Sequence, residues 1–204
     1  MQVAGSAIVI AVAARPHPRE QVSGDAWAID WHEGACRLAV IDGLGHGPEA
    51  AAAAARACAA LAAQPKLGPV EALAACHDAL AGTRGAAISI AQIDPPAELL
   101  TYAGIGNVDA QLWQGGTSQR PIAYRGIVGV TYRTVRSFAV PLAPAWLLIL
   151  HSDGVSARFD AFAVPDEAKT DPQTLADLVL ERWGQQTDDA TVLVARRGDG
   201  DGEH

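Results

Sequence analysis

Four short acidic motifs could do chemistry, because each places an aspartate beside an apolar run. Asp25 stands at the start of one such run, and Asp42 and Asp153 stand at the ends of two others. Asp188 and Asp189 open the last run. An ionised carboxylate at the edge of a core is costly unless it is paired or bound to a metal. No Lys or Arg is adjacent in sequence to Asp25, Asp42 or Asp153.

Oxygen ligands of this kind suit Mg²⁺ or Mn²⁺ better than a metal that prefers soft ligands. A glycine follows Asp42 and Asp153 and frees the backbone to turn and present its carbonyl oxygen. Asp-Gly is also a common turn, so each motif alone is compatible with an ordinary loop. The four motifs together favour a metal site, but their spacing alone does not establish that they converge.

Two other kinds of active site are disfavoured. Ser152 lies between His151 and Asp153, but sequence neighbours rarely converge as a triad, and no G-x-S-x-G motif is present. The glycine-rich run 43–47 lies between a predicted strand and a predicted helix, which invites a dinucleotide-binding interpretation. Pro48 stands where that fingerprint needs its third glycine, so we reject this interpretation.

Composition narrows the class of protein. The 204 residues are 50% hydrophobic and 19% charged, which is typical of a folded domain, and the net charge of −8 argues against general nucleic-acid binding. The three cysteines form no C-x-x-C motif, and their odd number fits a reducing cytoplasm. No apolar run reaches the roughly 18 residues that cross a membrane. The apolar run 3–14 lacks a preceding Lys or Arg, which favours a buried first strand over a signal peptide.

Short strands and three helices would have to position these aspartates. The patterns predict strands over 7–14, 26–31, 36–41, 86–93, 99–103, 108–113, 134–140, 146–150 and 190–195. They predict helices over 48–63, 70–81 and 171–183. The strand over 146–150 is apolar on both faces and is expected to be central, and Glu33-Gly34 is expected to close a hairpin. Antiparallel hairpins with helices that do not strictly alternate indicate an α+β fold.

The ordered set of motifs resembles the metal-dependent type 2C (PPM) protein phosphatases, and within them the SpoIIE-like branch. The motifs are Gly24-Asp25, Asp42-Gly43-Leu44-Gly45-His46-Gly47, Ser152-Asp153-Gly154 and Asp188-Asp189-Ala190-Thr191. The short length and the stretch 104–108 are most similar to RsbX-type stressosome phosphatases. The resemblance implies a four-layer α/β/β/α sandwich of two antiparallel sheets flanked by helices. We expect one minimal phosphatase domain over 1–197 and a disordered polar tail over 198–204.

The resemblance also implies a role for each motif. It implies that two Mn²⁺ or Mg²⁺ ions are held by Asp25, Asp42, the Gly43 carbonyl, Asp153 and Asp188. A water between the ions, held through Asp25 and Asp42, would attack phosphoserine or phosphothreonine, so no side-chain nucleophile is needed. Neighbours in a strand face opposite ways, and the family pattern favours Asp188 over Asp189 as the ligand. Asp189 is expected to make a turn or a supporting hydrogen bond.

Three positions depart from the family pattern. Glu20 stands where many relatives have the arginine that grips phosphate, with Arg19 one place away. Asn107 stands near the aspartate of a third metal, which makes a third site doubtful. Leu44 replaces a histidine common in relatives, and His46 follows two places later as a candidate acid or as a packed histidine.

The remaining candidate substrate-binding residues lie in a basic stretch of the chain. Residues 110–152 contain no Asp or Glu, while Arg120, Arg125, Arg133 and Arg136 are positive. This stretch either steers an acidic or phosphorylated partner or is a solvated face. Substrate-binding candidates are therefore Arg19, His46, Arg120 and Arg125.

The resemblance implies a cytoplasmic protein serine/threonine phosphatase that binds neither nucleic acid nor membrane. Its expected partner and substrate is a phosphorylated STAS-domain protein of the stressosome. One alternative substrate is a phosphorylated anti-sigma-factor antagonist, which is also a STAS protein. Another alternative is a catalytically degenerate module of the same fold that binds a phosphoprotein without hydrolysing it.

Overall fold

Two five-stranded antiparallel sheets form the framework of the protein in a computed structural model that describes residues 8–156, 158–160 and 163–197. The strands are β1 (Val9–Arg15), β2 (Asp25–His32), β3 (Ala35–Gly43), β4 (Ala86–Asp94), β5 (Leu99–Ile105), β6 (Asp109–Gln114), β7 (Thr117–Gln119), β8 (Gly126–Ile127), β9 (Thr131–Tyr132), β10 (Phe138–Pro141), β11 (Trp146–His151) and β12 (Ala190–Arg197). The first sheet has the order β1-β12-β11-β6-β7, and the second has the order β10-β5-β4-β3-β2. Strands β8 and β9 form a separate small hairpin.

Helices cover the outer faces of both sheets. The helices are α1 (Pro48–Ala63), α2 (Pro69–Ala79), α3 (Pro172–Trp183) and a short 3-10 helix (Asp166–Thr170). Helices α1 and α2 share one buried apolar cluster with the second sheet, and α3 shares another with the first sheet. A third cluster, which includes Leu38, Tyr102, Leu148 and Leu193, fills the space between the sheets. The four-layer α/β/β/α prediction is therefore confirmed.

The hairpin of β2 and β3 sets the register that matters for the site. Its turn residues Glu33 and Gly34 have φ values of 50° and 88°, and two positive φ angles in succession match the right-handed twist of the flanking strands. The resulting antiparallel register places Asp25 directly opposite Asp42.

Most of the predicted elements are present, with three differences. The strand predicted over 7–14 is β1, but it is an edge strand with half-buried residues, so the expectation that it is buried is wrong. The strand predicted over 134–140 begins only at Phe138. The sequence did not predict β7, β8, β9 or the 3-10 helix. The central position of β11 is confirmed.

Some expectations fall outside the described residues, among them the tail over 198–204 and the start of the apolar run, residues 3–7. Among the helices of the described segments, none is both long enough and apolar enough to span a membrane.

Candidate metal centre

Asp25 and Asp42 form the half of the candidate site that belongs to the second sheet. Asp25 begins β2, and Asp42 is the last residue but one of β3, so the two face each other across the ladder. Asp25 is buried, with 7% of its surface exposed. Its backbone N–H donates to the Ser23 hydroxyl at 3.1 Å, which fixes the entry of the chain into the strand.

Asp153 lies two residues beyond the end of β11, the central strand of the first sheet. Its carboxyl group lies within hydrogen-bonding reach of that of Asp42, and it accepts a hydrogen bond from the amide of Asn107. Its backbone carbonyl accepts from the side chain of Gln185 at 2.8 Å. These contacts bring the Asp42 and Asp153 carboxyl groups, one from each sheet, together at one end of the sandwich.

Ser152 ties the two sheets together at the same place. Its hydroxyl donates to an Asp25 carboxylate oxygen at 2.6 Å and accepts the backbone N–H of Thr191 at 3.0 Å. His151 points its Nδ1 at the Ser152 carbonyl at 3.0 Å and packs edge-on against Phe159, so it is a core residue. The serine hydroxyl is therefore bonded to an aspartate rather than to the histidine, unlike a triad.

Asp188 and Asp189 precede β12 and occupy different environments. Asp188 lies close enough to Asp42 and Asp153 to raise the pKa of both carboxyl groups. Asp189 is buried, and its Oδ1 accepts the backbone N–H of His17 at 2.8 Å. Its Oδ2 is buried without a hydrogen-bond partner among the described residues. Asp189 is thus bonded to the loop that follows β1, while Asp188 lies beside the other site carboxylates.

Burial and mutual repulsion leave these carboxylates poorly stabilised as anions. Burial raises the pKa of Asp25 to about 7 and that of Asp42 to about 9, and neighbouring aspartates add to both shifts. Burial, followed by the charge of Asp188, also raises the pKa of Asp153. None of the ion pairs found among the described residues involves Asp25, Asp42, Asp153 or Asp188.

This donor set fits a pair of divalent cations. The carboxylates supply only hard oxygen ligands, and a bound cation would offset the repulsion that raises their pKa values. In the part of the chain that the structure describes, no three His, Cys, Asp or Glu side chains already enclose a common point at metal-ligand geometry. The ligands would therefore have to adjust on binding, which short carboxylate side chains at strand ends can do by rotation about their side-chain bonds.

Gly43 joins β3 to the loop that precedes α1. A Cβ at this position would overlap the backbone carbonyl oxygen of Ala50 in the first turn of the helix. The Gly43 N–H donates to the Gly24 carbonyl at 3.1 Å, so the loops that carry Asp25 and Asp42 are bonded to each other. Close approach of the helix to the strand end is what requires a glycine here.

The predicted substrate-binding residues lie in separate places. His46 stacks on His17 at 4.5 Å between ring centroids, and its Nδ1 lies 2.7 Å from an oxygen of Glu20. Arg19 is exposed, and its backbone N–H donates to Nδ1 of His17 at 3.1 Å.

Arg120 and Arg125, both from the basic stretch, line different grooves. Arg120 donates to the carbonyl of Phe159 at 2.9 Å and shares a groove with Arg136. Arg125 instead shares a groove with Arg133. Between them in the chain, Tyr124 forms an isolated β-bridge with Ile105.

Sequence reasoning missed three residues of this region. Ser152 and Asn107 were not identified as hydrogen-bond donors to the site aspartates, because they are 127 and 46 residues distant from them in sequence. Arg84 was also missed; its guanidinium pairs with Glu49 and lies beside Gly45 in the loop after Asp42. The only available signal was the position of Arg84 one residue before a glycine that precedes a predicted strand.

The family model described as Stage II sporulation protein E (SpoIIE) matches residues 32–198 of the chain. A chain solved in a study of the bacterial stressosome, described as a modular system adapted to control secondary messenger signalling, is 32% identical. That match covers 93% of this chain and 100% of the other, with a TM-score of 0.86. No significant match is found among curated protein sequences.

Two further solved structures share the fold at lower identity. RsbX in complex with magnesium is 21% identical, over 94% of this chain and 96% of the other, with a TM-score of 0.82. The PP2C phosphatase domain, with a fragment of the regulatory domain, of SpoIIE from Bacillus subtilis is 22% identical. That match covers 95% of this chain and 64% of the other, with a TM-score of 0.77.

Proposed function

Because the chain belongs to the SpoIIE family of PPM-type protein serine/threonine phosphatases, we propose that it dephosphorylates STAS-domain proteins of a stressosome. One observation carries the proposal: carboxylates from both sheets meet at one end of the sandwich, with no ion-pair partner among the described residues. The similarity to a stressosome protein and to RsbX supports the choice of substrate.

We assign the metal ligands to the residues at this strand end. They are Asp25, Asp42, the Gly43 carbonyl, Asp153 and Asp188, for two Mn²⁺ or Mg²⁺ ions. When bound, such ions lower the pKa of a coordinated water and stabilise negative charge on a phosphoryl group. The protein supplies the positions: Asp42 and Asp25 face each other across one ladder, and Asp153 reaches Asp42 from the other sheet.

Hydrogen bonds hold the carboxylates in place for this role. Ser152 fixes the orientation of Asp25, and Asn107 fixes that of Asp153. Neither donor carries a charge, so both orient the carboxylates without neutralising them. The side chain of Glu20 is itself an anion and already contacts His46, so it offers no site for a phosphate.

The proposal is tested by incubating the protein with phosphorylated STAS-domain proteins, with and without Mn²⁺, and following phosphate loss by mass spectrometry. We expect loss only with the metal. The matched variant Asp153→Asn should be slower by about 100-fold or more, because it removes one ligand charge and one donor oxygen. Asp177→Asn, on the exposed face of α3, should leave the rate unchanged.

The outcomes separate the alternatives. Turnover of an anti-sigma-factor antagonist in preference to stressosome STAS proteins would identify that antagonist as the substrate. Absent turnover of every phosphoprotein, with retained binding, would identify a degenerate binding module. Turnover that needs no metal would overturn the two-metal proposal. Full activity in Asp153→Asn would remove the ligand assignment.

A further inference from the structure

Charge is distributed unevenly along this chain. Residues 110–152 carry four arginines and no Asp or Glu, although the whole chain has a net charge of −8. In the structure the arginines separate into two pairs, each lining its own groove. Arg125 and Arg133 line an open groove of about 480 Å³, and Arg120 and Arg136 line one of about 210 Å³.

The first pair lies at the open end of the β8–β9 hairpin. Gly126 pairs with Tyr132 in this hairpin, and Arg125 and Arg133 are the residues that flank this pair on the two strands. Both are exposed, and no ion pair found among the described residues includes either of them. Like charges on facing strand positions repel each other, so an anionic group between them would be favourable.

The hairpin is anchored beside the candidate metal centre. Val128 exchanges two backbone hydrogen bonds with Ala86, at 2.9 and 3.0 Å. Ala86 in turn pairs with Gly43, the residue after Asp42. On the other side, the Gly129 N–H donates to Nδ1 of His77 in α2 at 2.9 Å. The arginine pair is therefore carried by a fixed element next to the strand end that bears the aspartates.

Two exposed apolar side chains lie beside the turn of the same hairpin. Val130, at the turn of the hairpin, is 53% exposed, and Leu44, in the loop after Asp42, is 41% exposed. Both adjoin Gly85: the Leu44 N–H donates to its carbonyl at 3.0 Å, and a Cβ on Gly85 would lie 3.0 Å from Val130. Arginines beside exposed apolar residues are typical of protein interfaces.

We propose that Arg125, Arg133, Val130 and Leu44 form a docking surface for an acidic patch on the folded protein substrate. The inference rests on the proposed function, because it names the surface that presents that substrate to the site. Arg120 and Arg136 lie outside this surface: Arg120 is bonded to Phe159, and the pair lines the other groove.

The first test compares a protein substrate with a small one. Arg125→Glu/Arg133→Glu should lower kcat/KM for the phosphoprotein by about tenfold or more, mainly through KM, and should weaken its salt dependence. Hydrolysis of para-nitrophenyl phosphate, which is too small to reach the surface, should stay within about twofold. The matched double charge reversal Lys66→Glu/Arg182→Glu, at exposed positions away from the hairpin, should leave kcat/KM for both substrates within about twofold of the wild-type value.

A binding measurement keeps the docking proposal testable apart from turnover. The affinity for the phosphoprotein is measured for two variants, Asp153→Asn alone and Asp153→Asn combined with the two Arg→Glu changes. We expect the combined variant to bind about tenfold more weakly. If wild-type protein with Mn²⁺ fails on both substrates, the proposed function fails, whereas the binding result still decides docking. Unchanged binding, equal loss on both substrates, or a single-stranded polynucleotide competing as well as an acidic protein would overturn the docking proposal.

Discussion

Ser152 is the residue on which the geometry of Asp25 depends most directly. It is completely buried, and its hydroxyl both donates to Asp25 and accepts from the backbone of β12. We predict that Ser152→Ala lowers the apparent affinity for Mn²⁺ and the phosphatase rate by about 10–100-fold, the usual effect of removing a residue that orients a ligand. Metal titration of the rate checks this.

The control for this prediction is Ser118→Ala in the short strand β7, which lies at the far edge of the first sheet. It should leave both quantities unchanged. A Ser152→Ala protein with normal metal affinity would show that Asp25 does not need this donor.

Asn107 is uncharged, and its side-chain amide donates a hydrogen bond to the carboxylate of Asp153. We predict that Asn107→Asp lowers the melting temperature of the metal-free protein, because a fifth carboxylate joins a group that already repels itself. Excess Mn²⁺ should remove most of that difference. Thermal melts in chelator and in Mn²⁺ measure both effects, with Asn107→Ala as the uncharged control. Equal melting temperatures for the Asp and Ala variants in chelator would contradict the electrostatic explanation.

At the residue scale, the sequence predicted the aspartates but not what holds them. Asp25, Asp42 and Asp153 stand out because each carboxylate adjoins an apolar run without a basic neighbour. Ser152 and Asn107 have no such signal, since their partners become neighbours only when the two sheets pack. Hydrogen bonds across layers depend on sheet register and on sheet packing, neither of which a single sequence specifies.

At the scale of elements, α1 positions the loop after Asp42 by lying very close to the second sheet. Ala53, Ala54 and Ala57 are buried against that sheet. We predict that Ala53→Leu destabilises the protein by about 1–3 kcal/mol, because the added methyl groups cannot fit without moving the helix. The phosphatase rate should fall as well, since α1 begins at Pro48, directly after the loop.

Ala55 offers a matched control on the same helix, because it is exposed. Ala55→Leu makes the same chemical change and should alter the free energy of unfolding by less than about 0.5 kcal/mol. Urea denaturation of both variants measures the difference. If both variants lose stability equally, the cause would be helix propensity rather than packing.

The elements also show where sequence patterns are sufficient. Helix α1 was predicted over its full observed range, because Pro48 suits the first turn and the alanine-rich run ends at Gln64. Strands β8 and β9 have two residues each, which is too short for any periodicity, and Val128 between them pairs with Ala86, a residue 42 positions away in sequence. The half-buried state of β1 follows from its place at the edge of the sheet, which depends on strand order rather than on its apolar sequence.

The whole molecule gathers negative charge where the two sheets meet. Asp25 and Asp42 lie in strands of the second sheet, whereas Asp153 follows β11 and Asp188 precedes β12, both strands of the first sheet. An apolar cluster fills most of the space between the sheets, whereas at this end carboxylates from both layers repel one another despite the hydrogen bond from Ser152 to Asp25. A divalent ion would therefore stabilise the contact between the layers as well as the site.

This arrangement predicts how the stability of the metal-free protein depends on pH. Burial raises the pKa of Asp25 from 3.8 to about 7 and that of Asp42 from 3.8 to about 9, so the folded state holds protons that the unfolded chain releases. The stability present below about pH 4 is then lost as the pH rises through the folded pKa values. We predict a falling melting temperature in chelator between about pH 5 and 8.5, and a rise on adding Mn²⁺ that grows with pH.

Asp42→Asn isolates the cause of this pH dependence, because it keeps the shape of the side chain and removes the group with the larger shift. The metal-free variant should melt at a higher temperature than wild type near pH 8 and show a flatter pH profile, while losing phosphatase activity. Asp177→Asn, exposed on α3, should reproduce the wild-type profile. A wild-type melting temperature that stays level or rises over this range in chelator would mean that the buried carboxylates are not under electrostatic strain. The fold would then need no cation at this end, even if the enzyme proved to be metal-dependent.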